Sequence, residues 1–182
     1  MNLANMITIF RIILIPIYLG VFYSGSDNFI LFSGLIFILA GISDVLDGYV
    51  ARKYDMITAL GSVLDPIGDK LMMCAILISF VSKGIIPTWI LVALGLKEFV
   101  MIVGGGVLYL FKGKQVMPSD KYGKFATVSF YVATLSIVFK LPEIFSTSLF
   151  ILTVIFNIVA FINYLIIYLK IKDNKSDNLV DK

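Results

Sequence analysis

Histidine is absent from the 182-residue chain, and cysteine occurs once, at Cys74. The first absence argues against a zinc catalytic site, which ordinarily draws on imidazole. The second excludes an internal disulfide, and Cys74 lies in an apolar run where a packed thiol is the natural reading. Charge is also scarce: 15% of the residues are charged against 59% hydrophobic, with a mean hydropathy of +0.98. That is too apolar for a soluble domain, and the chain is too short for two domains. With no soluble basic domain, the net charge of +3 is no sign of nucleic-acid binding. It describes instead a membrane-apposed face suited to anionic headgroups and phosphates. No repeat, heptad pattern or low-complexity segment is present.

What is there is a series of long apolar runs. A membrane span needs about 20 mostly apolar residues, and six stretches qualify: 6–23, 29–51, 60–82, 85–111, 123–140 and 146–170. Short links separate them, holding the turn formers Ser24 to Asn28, Lys83-Gly84 and Leu141-Pro142-Glu143. The expected fold is an all-α integral membrane protein with six transmembrane helices in one domain, residues 1–172. A polar C-terminal tail, 173–182, is expected to fray. Arg11 interrupts the first run and no basic region precedes it, so that run reads as a span rather than a cleaved signal peptide. In the fourth run, Gly104-Gly105-Gly106 reads as close helix packing or a bend, because a phosphate loop needs a strand before it and water around it.

Basic residues set the orientation. Arg52, Lys53, Lys112, Lys114, Lys121, Lys124, Lys170, Lys172, Lys175 and Lys182 fall on one side of the six-span arrangement, against Lys83 and Lys140 on the other. The positive-inside rule then places both termini in the cytoplasm.

Four carboxylates stand out against this background. Asp44 and Asp47 are three residues apart, and Asp65 and Asp69 four apart. Either spacing puts a pair on one helix face. The first pair ends the second span and the second pair begins the third, so an antiparallel hairpin brings all four together on the cytoplasmic side. Each isolated carboxylate in a span costs about 2.5–3.5 kcal/mol on the insertion scale, and mutual repulsion adds to that. Something positive must sit among them. Two divalent cations would balance four charges, and hard oxygen ligands favour Mg2+, Mn2+ or Ca2+. Taken singly, Asp44 or Asp69 could instead form a structural pair with Arg52 or Lys70, whereas Asp27 and Asp55 read as link residues. A transporter would also use such carboxylates, but nearer the midplane and on interrupted helices. Gly48, Ala51 and Gly61 lie within a turn of the aspartates and permit either ligand approach or tight packing. Arg52 can reach phosphate oxygens in a bidentate way.

The run Asp44-Val-Leu-Asp47-Gly48-Tyr-Val-Ala51-Arg52, followed by Gly61, Asp65 and Asp69, resembles the complete signature of the CDP-alcohol phosphatidyltransferase family, D-x-x-D-G-x-x-A-R-x8-G-x3-D-x3-D. Asn5-Met-Ile-Thr8-Ile-Phe-Arg11 resembles the N-x-x-T-x-x-R that members carry near the N-terminus, and the resemblance covers nearly the whole chain. It implies transfer of a phosphatidyl group from CDP-diacylglycerol to an alcohol with release of CMP. It also implies two Mg2+ or Mn2+ ions per active site, and homodimers are common in the family. On this resemblance Asp44, Asp47, Asp65 and Asp69 would hold metal, and Asp69 would also be the catalytic base on the acceptor hydroxyl. Gly48, Ala51, Arg52 and Gly61 would line the cytidine and diphosphate pocket, with Asn5, Thr8 and Arg11 on its wall.

Two further segments bear on the acceptor. Lys97-Glu98 resembles the Arg-Glu or Arg-Asp of phosphatidylglycerophosphate synthases and of cardiolipin synthases with this fold, with lysine in place of the commoner arginine. Ser119-Asp-Lys121-Tyr-Gly123-Lys124-Phe-Ala-Thr127 resembles the S-x-x-G-K-x-x-T segment of the same subfamilies, with Ala126 where a second lysine is frequent. Lys121 and Lys124 also serve as ordinary positive-inside flanks. A cluster of Lys97, Lys121 and Lys124, with Ser119, suits an anionic acceptor such as glycerol 3-phosphate and suits choline or ethanolamine poorly. The expectation is therefore phosphatidylglycerophosphate and CMP as products, with phosphatidylglycerol, inositol, inositol phosphate and serine as alternative acceptors. A cation or solute transporter and a catalytically silent lipid-binding protein are the readings from other classes.

Overall fold

The computed structural model describes the backbone of residues 3–53, 61–112 and 121–180, and side chains at 6–46, 49, 53, 67–100 and 122–166. The described residues form six helices and no strand: α1 (Leu3–Phe22), α2 (Phe29–Lys53), α3 (Gly61–Ser82), α4 (Thr88–Lys112), α5 (Lys121–Val138) and α6 (Glu143–Val180). Each coincides with most of one of the six apolar runs. Among the described residues two of them are long and apolar enough to cross a membrane, over Phe29–Leu46 and Glu143–Ile166, and Met6–Phe22 is a shorter apolar stretch.

Helix ends follow local chemistry. α3 stops at a Schellman turn, in which Ile85 N–H donates to the Phe80 carbonyl at 2.8 Å and Gly84 N–H to that of Val81 at 2.9 Å. Gly84 sits at φ 69°, a left-handed conformation that glycine adopts without penalty. α5 ends in the same way, with Leu141 N–H on Ser136 and Lys140 N–H on Ile137, but here a lysine takes φ 54° and Pro142 then prevents continuation. α6 differs from the frayed end expected for residues 173–182. Its helix runs on to Val180, because no glycine or proline occurs from Glu143 onward to break it.

The chain forms two compact units, Met1–Leu91 and Val92–Lys182. In the first, α1 packs against both α2 and α3. Thr8, Arg11, Leu14, Tyr18 and Phe22 are buried, and their three- and four-residue spacing makes them one continuous stripe of α1. At one end of the stripe Phe22 meets Phe29 of α2 edge-to-face at 5.1 Å and Phe80 of α3 at 6.0 Å. At the other end Arg11 meets Asp44 of α2 and Asp69 of α3. These two sets of contacts fix the directions: α2 runs antiparallel to α1, and α3 parallel to it. The aromatic end is closed by a 2.7 Å hydrogen bond between Tyr23 Oη and Ser82 Oγ and by Lys83 Nζ lying 5.5 Å from the Phe29 ring centre, within cation–π range.

In the second unit α5 packs along α6 through a seam of small and polar residues. Ser129 Oγ and Thr153 Oγ1 share a 2.7 Å hydrogen bond, Ser136 Oγ donates to Ser146 Oγ at 2.9 Å, and Phe130 packs edge-to-face on Phe150. Hydroxyls therefore face inward while Phe99, Phe125, Val128 and Ile144 face outward. Helices packed in lipid favour that arrangement, since small residues allow close approach and outward apolar chains lose nothing.

Candidate functional site

Asp44 and Asp69 meet at α1. Arg11 is the ninth residue of α1 and Asp69 the ninth of α3. At 1.5 Å of rise per residue, each lies about 12 Å in from the same end of the three-helix unit. Arg11 Nη1 stands 2.7 Å from Asp44 Oδ1 and 2.6 Å from Asp69 Oδ1. The arginine side chain is 2% exposed, against 35% for Asp44 and 44% for Asp69. A fully desolvated guanidinium thus bridges two carboxylates that keep an open side. Charge-assisted bonds of this length are among the stronger ones a protein makes, and burial removes the competing water.

Neighbouring residues shape this arrangement. Thr8 lies one turn before Arg11 on the same stripe and is buried. Gly68, directly before Asp69, is buried against α1: a methyl group there would touch Ile12 Cγ1 at 3.6 Å and Arg11 Cδ at 3.8 Å. These are ordinary van der Waals distances, so Gly68 marks where α3 packs on the arginine stem, and an alanine would fit there as well. Ser43, next to Asp44, is buried with its hydroxyl donated to the Leu39 carbonyl at 2.8 Å, so it supplies no donor to the carboxylates. Of these, Gly68 was not among the residues singled out from sequence. Its signal was a glycine placed next to an ionisable residue inside an apolar run.

Asp47, Gly48, Ala51 and Arg52 lie on the last turns of α2, Gly61 and Asp65 on the first turns of α3, and Asn5 on the first turn of α1; their side chains are outside the described residues. The helix directions established above put all seven at the same end of the unit as Asp44 and Asp69. Hard oxygen donors are the right chemistry for Mg2+ or Mn2+. Contacts of 2.6 and 2.7 Å to one nitrogen keep the two carboxylate oxygens within the sum of those distances, 5.3 Å, of each other. A hexacoordinate ion with bonds of about 2.0–2.6 Å spans opposite ligands about 4–5 Å apart. Among the described residues no group of three possible metal ligands comes together; the structure describes two of the four expected carboxylates, Asp44 and Asp69, near each other.

The residues expected to bind the acceptor belong to the second unit. Lys97 Nζ reaches Glu98 Oε1 at 2.7 Å, with side chains 14% and 8% exposed. Adjacent helical residues do not face each other by default, so the lysine stem must fold back to make this pair. Lys97 also lines a cavity of about 180 Å3 between α4 and α6, with Leu94, Val100, Val154, Asn157 and Phe161 among its walls. Asn157, which sequence reading did not single out, is buried and donates to the Thr153 carbonyl at 2.9 Å. Lys124 is exposed on the first turn of α5, and Thr127 Oγ1 donates back to the Gly123 carbonyl at 3.1 Å. Lys121 opens α5, its side chain outside the described residues, as is the whole of Ser119.

Comparison with known proteins identifies the family. The curated "CDP-diacylglycerol--glycerol-3-phosphate 3-phosphatidyltransferase" of Rickettsia bellii is 40% identical over 110 residues, covering 56% of this chain and 61% of that protein. The protein of the same name from Bacillus subtilis is 35% identical over 138 residues, 69% of this chain and 70% of its own length. That from Haemophilus influenzae is 44% identical over 80 residues, 44% of this chain and 43% of its own. The chain spans about three fifths of the length of the Rickettsia relatives it matches. A family model described as CDP-alcohol phosphatidyltransferase matches residues 1–164, a stretch that holds every aspartate of the site, and the chain belongs to that family.

Proposed function

We propose that the protein transfers the phosphatidyl group of CDP-diacylglycerol to glycerol 3-phosphate, giving phosphatidylglycerophosphate and CMP. The observation that carries this reading is the convergence of Asp44 and Asp69, from two different helices, on one buried cation at the end of the unit where the rest of the family signature lies. The names of the curated relatives support the choice of acceptor. Asp44, Asp47, Asp65 and Asp69 would hold two divalent ions, Mg2+ or Mn2+. Bound there, the ions would supply electrostatic stabilisation of the diphosphate and of the leaving CMP.

The chain's own residues then have distinct tasks. Asp69 accepts the proton of the acceptor hydroxyl, a task left to a carboxylate in a chain without histidine. Its 44% exposure leaves an oxygen accessible while Arg11 holds the other. Asn5, Thr8, Gly48, Ala51, Arg52 and Gly61 line the nucleotide side of the pocket. Lys97, Ser119, Lys121 and Lys124 attract and orient the acceptor phosphate. All six helices span the cell membrane with both termini and the site at the cytoplasmic face, where a lipid headgroup meets a water-soluble acceptor, and the enzyme works as a homodimer.

The test is CMP release by the purified protein in detergent with CDP-diacylglycerol and Mg2+ or Mn2+. Acceptors should include glycerol 3-phosphate, phosphatidylglycerol, inositol, inositol phosphate and serine. Metal-dependent release with glycerol 3-phosphate is the expected result. Release with phosphatidylglycerol alone would move the assignment to cardiolipin synthesis, and no release with any acceptor from folded protein would reopen the transporter reading.

A further inference from the structure

Asn157 stands in the apolar run of α6, between Phe156 and Ile158, and is 8% exposed. A carboxamide brings two N–H donors and a carbonyl oxygen, and burying one is costly unless those groups find partners. Among the described residues its side chain makes one hydrogen bond, from Nδ2 to the Thr153 carbonyl at 2.9 Å. Thr153 is itself buried and pinned twice, by its hydroxyl on the Leu149 carbonyl at 2.8 Å and by the 2.7 Å bond to Ser129 Oγ. The amide is thus held by its nitrogen on the α5–α6 seam, which leaves Oδ1 as the end that can accept.

It is held at the wall of the cavity between α4 and α6. Seven of the nine described residues lining that cavity are apolar, and the two polar ones are Lys97 from α4 and Asn157 from α6. An apolar enclosure with a few polar groups that fix orientation is the usual make-up of a small-molecule site. Its volume of about 180 Å3 suits a ligand smaller than the drug-sized molecules that fill pockets of about 300–1,000 Å3. One wall offers a cation and the other a neutral oxygen.

We propose that Asn157 is a specificity-determining residue for the acceptor, its Oδ1 accepting a hydrogen bond from the secondary hydroxyl of glycerol 3-phosphate. The inference rests on the acceptor reading above. Glycerol 3-phosphate carries three polar groups. Its primary hydroxyl is the one esterified in the transfer, and its phosphate matches an ammonium group such as that of Lys97. The secondary hydroxyl persists through the reaction as a donor in need of an acceptor, a part that lysine, which only donates, cannot fill. A site built to take a substrate hydroxyl rejects the analogue that lacks it, because the site's own polar group is then left unpaired.

The experiment uses the full chain in detergent and follows CMP release from CDP-diacylglycerol with Mg2+ against two acceptors. One is glycerol 3-phosphate. The other is 3-hydroxypropyl phosphate, which keeps the primary hydroxyl and the phosphate but has no secondary hydroxyl. Wild type should favour glycerol 3-phosphate in kcat/KM by about tenfold or more, the order supplied by one neutral hydrogen bond. Asn157→Leu, close in volume, should lose most of that preference, chiefly through slower use of glycerol 3-phosphate. Should it not fold, Asn157→Ala carries the same expectation. An asparagine with only a structural role would lower both acceptors in step and leave their ratio unchanged, and that result overturns the proposal. So does a wild type that uses both acceptors equally well, a result that needs no variant. Release with neither acceptor from folded wild-type protein overturns the acceptor reading, and this inference with it.

Discussion

Replacing Lys97 by methionine separates two roles that one lysine is asked to fill. Its side chain is 14% exposed and sits 2.7 Å from Glu98 Oε1, itself 8% exposed. Removing one partner of a buried ion pair costs about 3–5 kcal/mol, whereas removing both charges together is often nearly neutral. Because Lys97 borders a cavity, the lower figure applies, about 3 kcal/mol, or two decades in the folding equilibrium. For a chain of this length that corresponds to a fall of about 6–12 °C in the unfolding midpoint. The double variant Lys97→Met with Glu98→Gln should recover at least half of that loss. Catalysis should behave differently. If the lysine also meets the acceptor phosphate, the KM for glycerol 3-phosphate rises about tenfold or more in the single variant, as expected for a lost hydrogen bond to a charged group, and stays raised in the double variant. The assays are thermal unfolding in detergent and CMP release against acceptor concentration. A single variant with the wild-type midpoint would refute the structural role of the pair. A double variant with the wild-type KM would refute the acceptor role.

Three further outcomes are expected. Asp69→Asn should lower the rate of CMP release by about 10²–10⁴-fold, the usual contribution of a general base, while CDP-diacylglycerol still binds in an equilibrium assay; retained turnover would remove Asp69 from that role. Phe22→Ala, at a site 1% exposed and in ring contact with Tyr18, Phe29 and Phe80, should destabilise the protein by about 3–5 kcal/mol, with a loss under 1 kcal/mol in chemical unfolding contradicting the packing described. Lys140→Gly should stabilise by about 0.5–1 kcal/mol by relieving the positive φ of a side-chain-bearing residue; an unchanged midpoint would show that the turn relaxes at no cost.

Much of this architecture was legible in the sequence because hydrophobic run length and turn chemistry act locally. Six runs bounded by Gly25, Gly84 and Pro142 became six helices with ends close to those expected. The continuation of α6 to Val180 was missed for the opposite reason. Polarity in residues 173–182 was read as loss of structure, although polarity removes only the packing partner, and it takes glycine or proline to break the helix itself. Helical spacing put Asp44 at the end of one helix and Asp69 near the start of the next, and the structure brings these two together, whereas the side chains of Asp47 and Asp65 lie outside the described residues.

The identity of the cation between the carboxylates was not legible in the same way. Arg11 and Asp69 are 58 residues apart, and no local rule links them. Sequence reasoning held that a positive charge must stand among the aspartates and offered Arg52 and Lys70, their chain neighbours, as structural partners. Helix geometry adds Arg11 as a partner of both Asp44 and Asp69, while the Arg52 side chain lies outside the described residues. With α3 running parallel to α1, the ninth residue of each arrives at the same depth, and the antiparallel α2 brings Asp44 down to meet them. An arginine that reads in sequence as an interruption of the first apolar run is tolerated there because two carboxylates from later helices neutralise it. Those carboxylates are in turn tolerated because Arg11 is there. Each of the three charges is costly alone, and the tertiary fold makes them affordable only together.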